Sequence, residues 1–369
     1  MGIPKDFNWK VYLKINPDLR SAGLKNEGQA RYHYFNYGKK ENRSYKLKTK
    51  LEEILETLEV YKGYDQELKD SFHEKVSLSV SEYNSGVDHK KYKCDEISLI
   101  YSLLDYEELL SFGVKDSTPK PGYSTSCVIA FKDRHKMVKL NVELLSKQSE
   151  KPAIILVVSN YSDFLFANEL EKEFDNVFVV IHKNYPLGGK WQSGVDFSKK
   201  LSVKGVMILG SDDLLSLDYF KNCLQEIDYG YGSSRNGVDL IGNRSWYMYD
   251  TNKDLYSLSY SDSVKIFLGG GKMFSKNFLD KIDWVIFNRN LPRHLDDYGY
   301  EMVVKLGNST KLISKENFIF SIKGPWEVMN KSENFISSTS KIKCVKMETD
   351  FTNELINKLG NLNLDELFK

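Results

Sequence analysis

The stretch GVMILGSDDLLS, residues 205–216, decides how this chain is read. Val206, Met207, Ile208 and Leu209 form an unbroken apolar run, which suits a strand covered on both faces. Gly210 and Ser211 interrupt the run, and Asp212 and Asp213 then fall just past the strand's C-terminal edge. Adjacent carboxylates repel each other, and they become favourable together when a divalent cation lies between them and a ligand. The same residues also suit a solvated turn that caps the following helix. The stretch alone leaves both readings open.

The flanking sequence narrows the choice. STSCVIAF (124–131), AIILVVSN (153–160) and NVFVVIHKN (176–184) read as strands. HKMVKLNVELLSKQS (135–149), DFLFANELEKEF (163–174) and KWQSGVDFSKKL (190–201) read as helices between them. Such alternation predicts an α/β fold, with a mostly parallel sheet and helices on both faces. Ligands of such sheets bind outside the carboxyl ends of the strands, where Asp212 and Asp213 are placed.

Other polar residues are expected at the same edge. Lys132, Asp133 and Arg134 follow the first strand, and Ser159, Asn160 and Asp163 follow the second. After the third, Gly188 and Gly189 permit close backbone approach and Lys190 offers a cation. IFLGGGKMFS (266–275) sets three glycines around Gly270 after an apolar run. NRNLPRHLDDYGYEMVVKLG (288–307) adds Arg289, Arg293, His294, Asp296 and Asp297 before an apparent helix.

This order resembles the catalytic domain of family-2-type glycosyltransferases with the GT-A (Rossmann-like) fold. The resemblance covers about residues 124–330 and rests on several features in sequence. It implies that a nucleotide-sugar donor binds at Lys132, Arg134, Asn160, Asp163, Lys190, Asp213, Gly270, Arg289 and Arg293. A UDP-sugar is the default expectation. It also implies a Mn²⁺ or Mg²⁺ ion on Asp212 and Asp213 that neutralises the departing diphosphate. Asp297, or else Asp296, would be the general base for the acceptor hydroxyl, with inversion at the anomeric carbon. The acceptor would be a glycan, glycolipid or protein. One departure stands out, because the first acid of the family's D-x-D motif would fall on Gly210. Near SIKGPWEVMNK (321–331), relatives often place a last metal or diphosphate ligand, but no His stands there and Lys323 is the candidate.

Two other functions are weighed. A sugar-1-phosphate nucleotidyltransferase would favour a glycine-rich phosphate loop after the first strand, and AFKDRHK (130–136) contains no glycine. A non-catalytic sugar-binding or scaffold protein would tolerate the loss of an acid at Gly210.

The remaining sequence bounds these readings. In 369 residues, 52 Lys and Arg nearly balance 51 Asp and Glu, so no overall field favours nucleic acid. The four cysteines form no metal-ligand spacing, the N-terminus has no apolar leader, and no apolar run reaches membrane-spanning length. A soluble cytoplasmic protein with free thiols and no membrane span is expected. Residues 1–46 read as a small all-helical module, in which Asn16-Pro17-Asp18 starts a helix and Gly38 ends one. NWKVYLKINPDLRSAG (8–23) and HYFNYGKKENRSY (33–45) resemble modules in glycan-related proteins of bacteria and large DNA viruses. Residues 47–118 read as a helical connector, 119–345 as the GT-A domain, and 346–369 as a C-terminal helix that either packs back or mediates homo-oligomerisation.

Overall fold

Asn8 accepts hydrogen bonds from the amides of Lys10 and Val11 at 3.0 and 3.3 Å, and so starts the first helix of the computed structural model. The structure describes residues 3–4, 7–41, 43, 45, 96–228, 238–261, 267–291, 295, 302–303, 305–306, 310–312, 317–324, 341–360, 362 and 364. The chain divides into two compact units, Met1–Ser77 and Leu78–Lys369.

In the first unit, α1 (Trp9–Ile15), α2 (Pro17–Ser21) and α3 (Glu27–His33) run into a π-helical turn, Tyr34–Gly38. Phe7, Tyr12, Leu13, Leu19, Ala30 and Tyr34 form its core. Asn16 stands at the start of α2 but does not cap it. Its amide donates back to the Tyr12 carbonyl of α1 at 2.9 Å. His33 links the helices, with Nδ1 3.0 Å from the Tyr12 hydroxyl. Gly38 ends the π turn rather than capping α3, and a Cβ there would overlap the Tyr12 hydroxyl.

The second unit has the expected α/β class. Its described elements begin with α4 (Glu96–Ser111), followed by β1 (Thr125–Ala130), α5 (His135–Ser146), β2 (Ala153–Val158), α6 (Tyr161–Glu173), β3 (Val177–Ile181), α7 (Leu187–Lys200) and β4 (Gly205–Ile208). They continue with β5 (Asp213–Leu215), α8 (Tyr219–Asp228), β6 (Leu240–Gly242), β7 (Ser245–Tyr249), β8 (Leu255–Tyr260), β9 (Lys272–Ser275) and α9 (Lys276–Lys281). The last are β10 (Thr310–Leu312), β11 (Ile319–Ile322), β12 (Ile342–Lys346) and α10 (Thr349–Lys358). Seven strands form one sheet in the order β10-β6-β9-β4-β1-β2-β3, and β12-β8-β7-β11-β5 form a second. β1 to β4 are parallel neighbours, whereas β9 is antiparallel to β4 and β6.

Alternate residues of the central strands feed two cores. Cys127, Ile129, Ile154 and Leu156 pack with Val138, Val142 and Leu145 of α5 and Leu170 of α6. Val128, Ile155 and Val157 pack with Val195 of α7 and Phe278 of α9. Helices therefore cover both faces, which is why these strands read as unbroken apolar runs. Leu109 of α4 belongs to the first core. Leu355, Leu359 and Leu364, in and beyond α10, pack with Phe318, Phe320 and Ile322 at the second sheet. The C-terminal helix thus packs back on its own unit. Cys127, Cys223 and Cys344 are free. Among the described residues, no helix is long and apolar enough to cross a membrane.

Candidate active site

Strand order locates the edge that matters. From β1 the chain moves outward on one side through β2 and β3, then returns to place β4 on the other side of β1. The switch point lies between β1 and β4, and open parallel sheets leave their ligand crevice there. Arg134 follows β1 and Asp212 follows β4, so the two flank it.

Asp212 and Asp213 cap no helix, since α8 starts only at Tyr219. They carry the chain from the first sheet into the second: Asp213 opens β5, opposite Ser321 of antiparallel β11. The same register holds the Ile322 amide 2.9 Å from the Asp212 carbonyl, and the Lys323 amide donates to Tyr249 at 2.8 Å. Lys323 is thereby fixed beside Asp212, with its side chain only 8% exposed.

Both Asp212 oxygens have cationic partners. Lys323 Nζ donates to Oδ2, while Arg134 lies 3.5 Å from Oδ1 and donates to the Ser211 hydroxyl at 3.1 Å. Burial opposes ionisation of Asp212, but the Lys323 and Arg134 charges outweigh it and hold its pKa below the ordinary value. Asp213 accepts a hydrogen bond from the Ser321 hydroxyl at Oδ1. Asn141 of α5 ties the turn together, donating to the Asp213 carbonyl at 2.9 Å and the Gly210 carbonyl at 3.4 Å.

The glycines explain the missing acid. A Cβ on Gly210 would stand 2.5 Å from Asp213 Oδ2 and 3.1 Å from Asp212 Oδ1. One on Gly270 would overlap the Asp213 carboxylate. Gly271, with φ +74°, donates its amide to Ile208 at 2.8 Å. The Gly210 and Gly270 backbones thus close against the carboxylates, and a side chain at residue 210 would require the Asp213 and Asp212 carboxylates to shift. Among the described residues, no group of three or more His, Cys, Asp or Glu side chains could hold a metal. With Asp212 paired to two cations and Asp213 to Ser321, this donor set does not fit a resident divalent ion.

A second cluster lies beyond the ends of β1 and β2. Lys190, 1% exposed, donates to the Phe131 carbonyl, to Asn184 Oδ1 at 2.9 Å and to Ser159 Oγ at 3.2 Å. Burial pulls its pKa down to about 7. Asn160 caps α6 through the Asp163 amide at 2.7 Å and donates to Asp163 Oδ2 at 2.9 Å. Asp163 also accepts from the Asp133 amide at 3.1 Å and lies 2.8 Å from His135 Nε2. Burial raises its pKa despite those bonds. The His135 ring stacks on Phe166, with centroids 4.4 Å apart.

Other candidates fall elsewhere. Lys132 pairs with Asp105 of α4 at 2.7 Å. Arg289 pairs with Asp196 of α7 at 2.6 Å, and both side chains are exposed. Gly188 and Gly189 lie in the first turn of α7, where a Cβ on Gly188 would overlap the Asn288 carbonyl and one on Gly189 would lie 3.3 Å from the Arg289 carbonyl. The close approach they permit is to another segment of the chain. Arg293, His294, Asp296 and Asp297 lie outside the described residues. Asn141, His135 and Ser321 were not singled out in the sequence; Ser321 and Lys323 reach the site only through the pairing of β11 with β5.

No protein-family model and no curated protein matches the chain. Among solved structures it is similar to Staphylococcus aureus TarS. Against TarS 1–349 in complex with UDP, identity is 14%, coverage is 55% of this chain and 61% of that one, and the TM-score is 0.40. Against TarS 1–349 in complex with UDP-GlcNAc the values are 14%, 66%, 74% and 0.42. Against TarS they are 13%, 66%, 50% and 0.41, so the chain spans about half of that protein's length. Similarity of this degree assigns neither activity nor ligand to this chain.

Proposed function

We propose that the Leu78–Lys369 unit is a glycosyltransferase that moves a sugar from a nucleotide-sugar donor to an acceptor hydroxyl. The observation that supports this most is the charge cluster at the switch point. Arg134 and Lys323 present cations beside Asp212, at the edge where a parallel sheet receives its ligand. A diphosphate suits such a site, because guanidinium and ammonium groups bind phosphate oxygens by charge-assisted hydrogen bonds. Asn160, Asp163 and Lys190 would form the neighbouring wall for the nucleoside, with Gly270 close to the sugar. UDP-sugars are the first donor class to test.

In the reaction, the acceptor oxygen bonds to the anomeric carbon as the bond from that carbon to the β-phosphate oxygen breaks. The departing electron pair stays on the diphosphate, and the hydroxyl proton passes to a general base. Asp297, with Asp296 as the alternative, is proposed for that base, with inversion as the outcome. A base of this kind contributes about 10²- to 10⁴-fold in rate. The acceptor class, a glycan, glycolipid or protein, belongs to the same proposal.

A thermal-shift panel of UDP-, GDP- and dTDP-sugars on wild type and Asp212→Asn tests the reading. A donor at 100 times its dissociation constant adds about 2.7 kcal/mol of stability. Stabilisation by one nucleotide class, reduced in Asp212→Asn, is expected. Folded protein that no donor stabilises would sink the transferase and favour a scaffold that keeps the fold.

A further inference from the structure

Lys323 poses a problem that the donor-site reading does not solve by itself. Its side chain is 8% exposed and ends on the carboxylate expected to hold a metal ion. Burying an ammonium costs several kcal/mol unless it is paired, and the pairing here consumes the oxygen a metal would need. The lysine is also no swinging surface chain, since its own amide is bonded to Tyr249 and the preceding Ile322 amide to Asp212.

The charges are informative. Arg134 and Lys323 bring two positive charges, while Asp212 and Asp213 bring two negative ones. A divalent ion held by two carboxylates gives the same sum. Gly210 brings no carboxylate to a metal set, and a Cβ there would crowd both carboxylates. An ammonium carries three N–H donors, so its bond to Asp212 does not preclude one to a phosphate oxygen.

We infer that Lys323, with Arg134, supplies the positive charge on the departing nucleoside diphosphate in the place of a divalent cation. The inference rests on the donor-site reading above. Asp212 then acts as a positioning residue, holding the ammonium at the crevice. Lys323 gives up no proton in the step. It stabilises the negative charge that builds on the diphosphate oxygen while the glycosidic bond breaks.

The test is calorimetric titration of the full chain with UDP, GDP and dTDP, once in EDTA and once in saturating Mn²⁺. One nucleotide is expected to bind with the same affinity in both buffers. Lys323→Gln should weaken it in EDTA by about 10- to 100-fold, the loss of a charge-assisted bond. That variant strands a buried carboxylate, so Asp212→Asn/Lys323→Gln, which removes both charges together, is titrated beside it and should show the same weakening. Wild-type affinity about tenfold or more higher in Mn²⁺ would overturn the inference and leave the donor site standing. Affinity unchanged in both variants would remove Lys323 from the site. No binding of any nucleotide in either buffer would remove the donor site, and the inference with it.

Discussion

Two buried cations serve the same sheet edge in opposite ways. Lys323 meets a carboxylate, Asp212, whose pKa the Lys323 and Arg134 charges hold low. Among the described residues Lys190 meets only neutral oxygens, of Phe131, Ser159 and Asn184, and burial drags its pKa to about 7. The difference is the partner rather than the depth. A paired charge is retained and available to a ligand, whereas an unpaired one is a clamp that joins strand ends and sits near its titration point.

Removing one partner of the first cluster should have the largest effect. Lys323→Met leaves Asp212 buried with Arg134 alone, and breaking such a pair costs about 3–5 kcal/mol. Urea unfolding would measure it, and adding Asp212→Asn should recover part of the loss. A cost below about 1 kcal/mol would mean the pair is as weak as a surface one, and would end the comparison.

Lys190 sharpens the contrast through pH. Its folded pKa of about 7 lies below the ordinary 10.5 of lysine. Between these values the unfolded chain holds a proton that the folded chain has released, so stability should rise with pH there. The slope is at most about 1.4 kcal/mol per pH unit. Lys190→Met should flatten it, as read from urea midpoints between about pH 7.5 and 9.5; equal slopes in the two proteins would refute the buried, proton-shedding lysine.

Gly210 tests how tightly the first cluster is closed. Gly210→Ala should cost about 1–3 kcal/mol through overpacking against Asp213 and Asp212. No loss would show that the carboxylates have room to move, and would restore the option of an acid there.

The smallest effect is expected at the surface. Arg289 lies closer to Asp196, at 2.6 Å, than Arg134 lies to Asp212, at 3.5 Å, yet both side chains of the Arg289 pair are exposed. Arg289→Ala should change stability by about 0–1 kcal/mol and leave nucleotide binding intact. A loss of binding would return Arg289 to the donor site.

The order of strands and helices from residue 124 to 209 was legible because each element carries its own period. Strands covered on both faces are apolar throughout, and the helices between them are amphipathic. Asn160 could be picked out as a polar strand-end residue, although its use as a cap for α6 emerged only in the fold. The second sheet was not legible. β5, which joins it to the site, has only three residues, too few for a pattern. Asn16 shows the opposite failure, where a good N-cap signal lost to a hydrogen bond back to Tyr12.

By itself, then, the sequence determined the α/β class, the position of Asp212 and Asp213 at a strand end, and the absence of an acid at residue 210. Tertiary structure alone decided what those carboxylates face. Arg134 and Lys323 lie 78 and 111 residues from Asp212 along the chain. A charge pair over such a separation leaves no local period. It exists because β11 docks antiparallel to β5 in one register, which sets Ser321 opposite Asp213 and delivers Lys323 to Asp212. A slip of one residue would turn those side chains to the other face of the sheet.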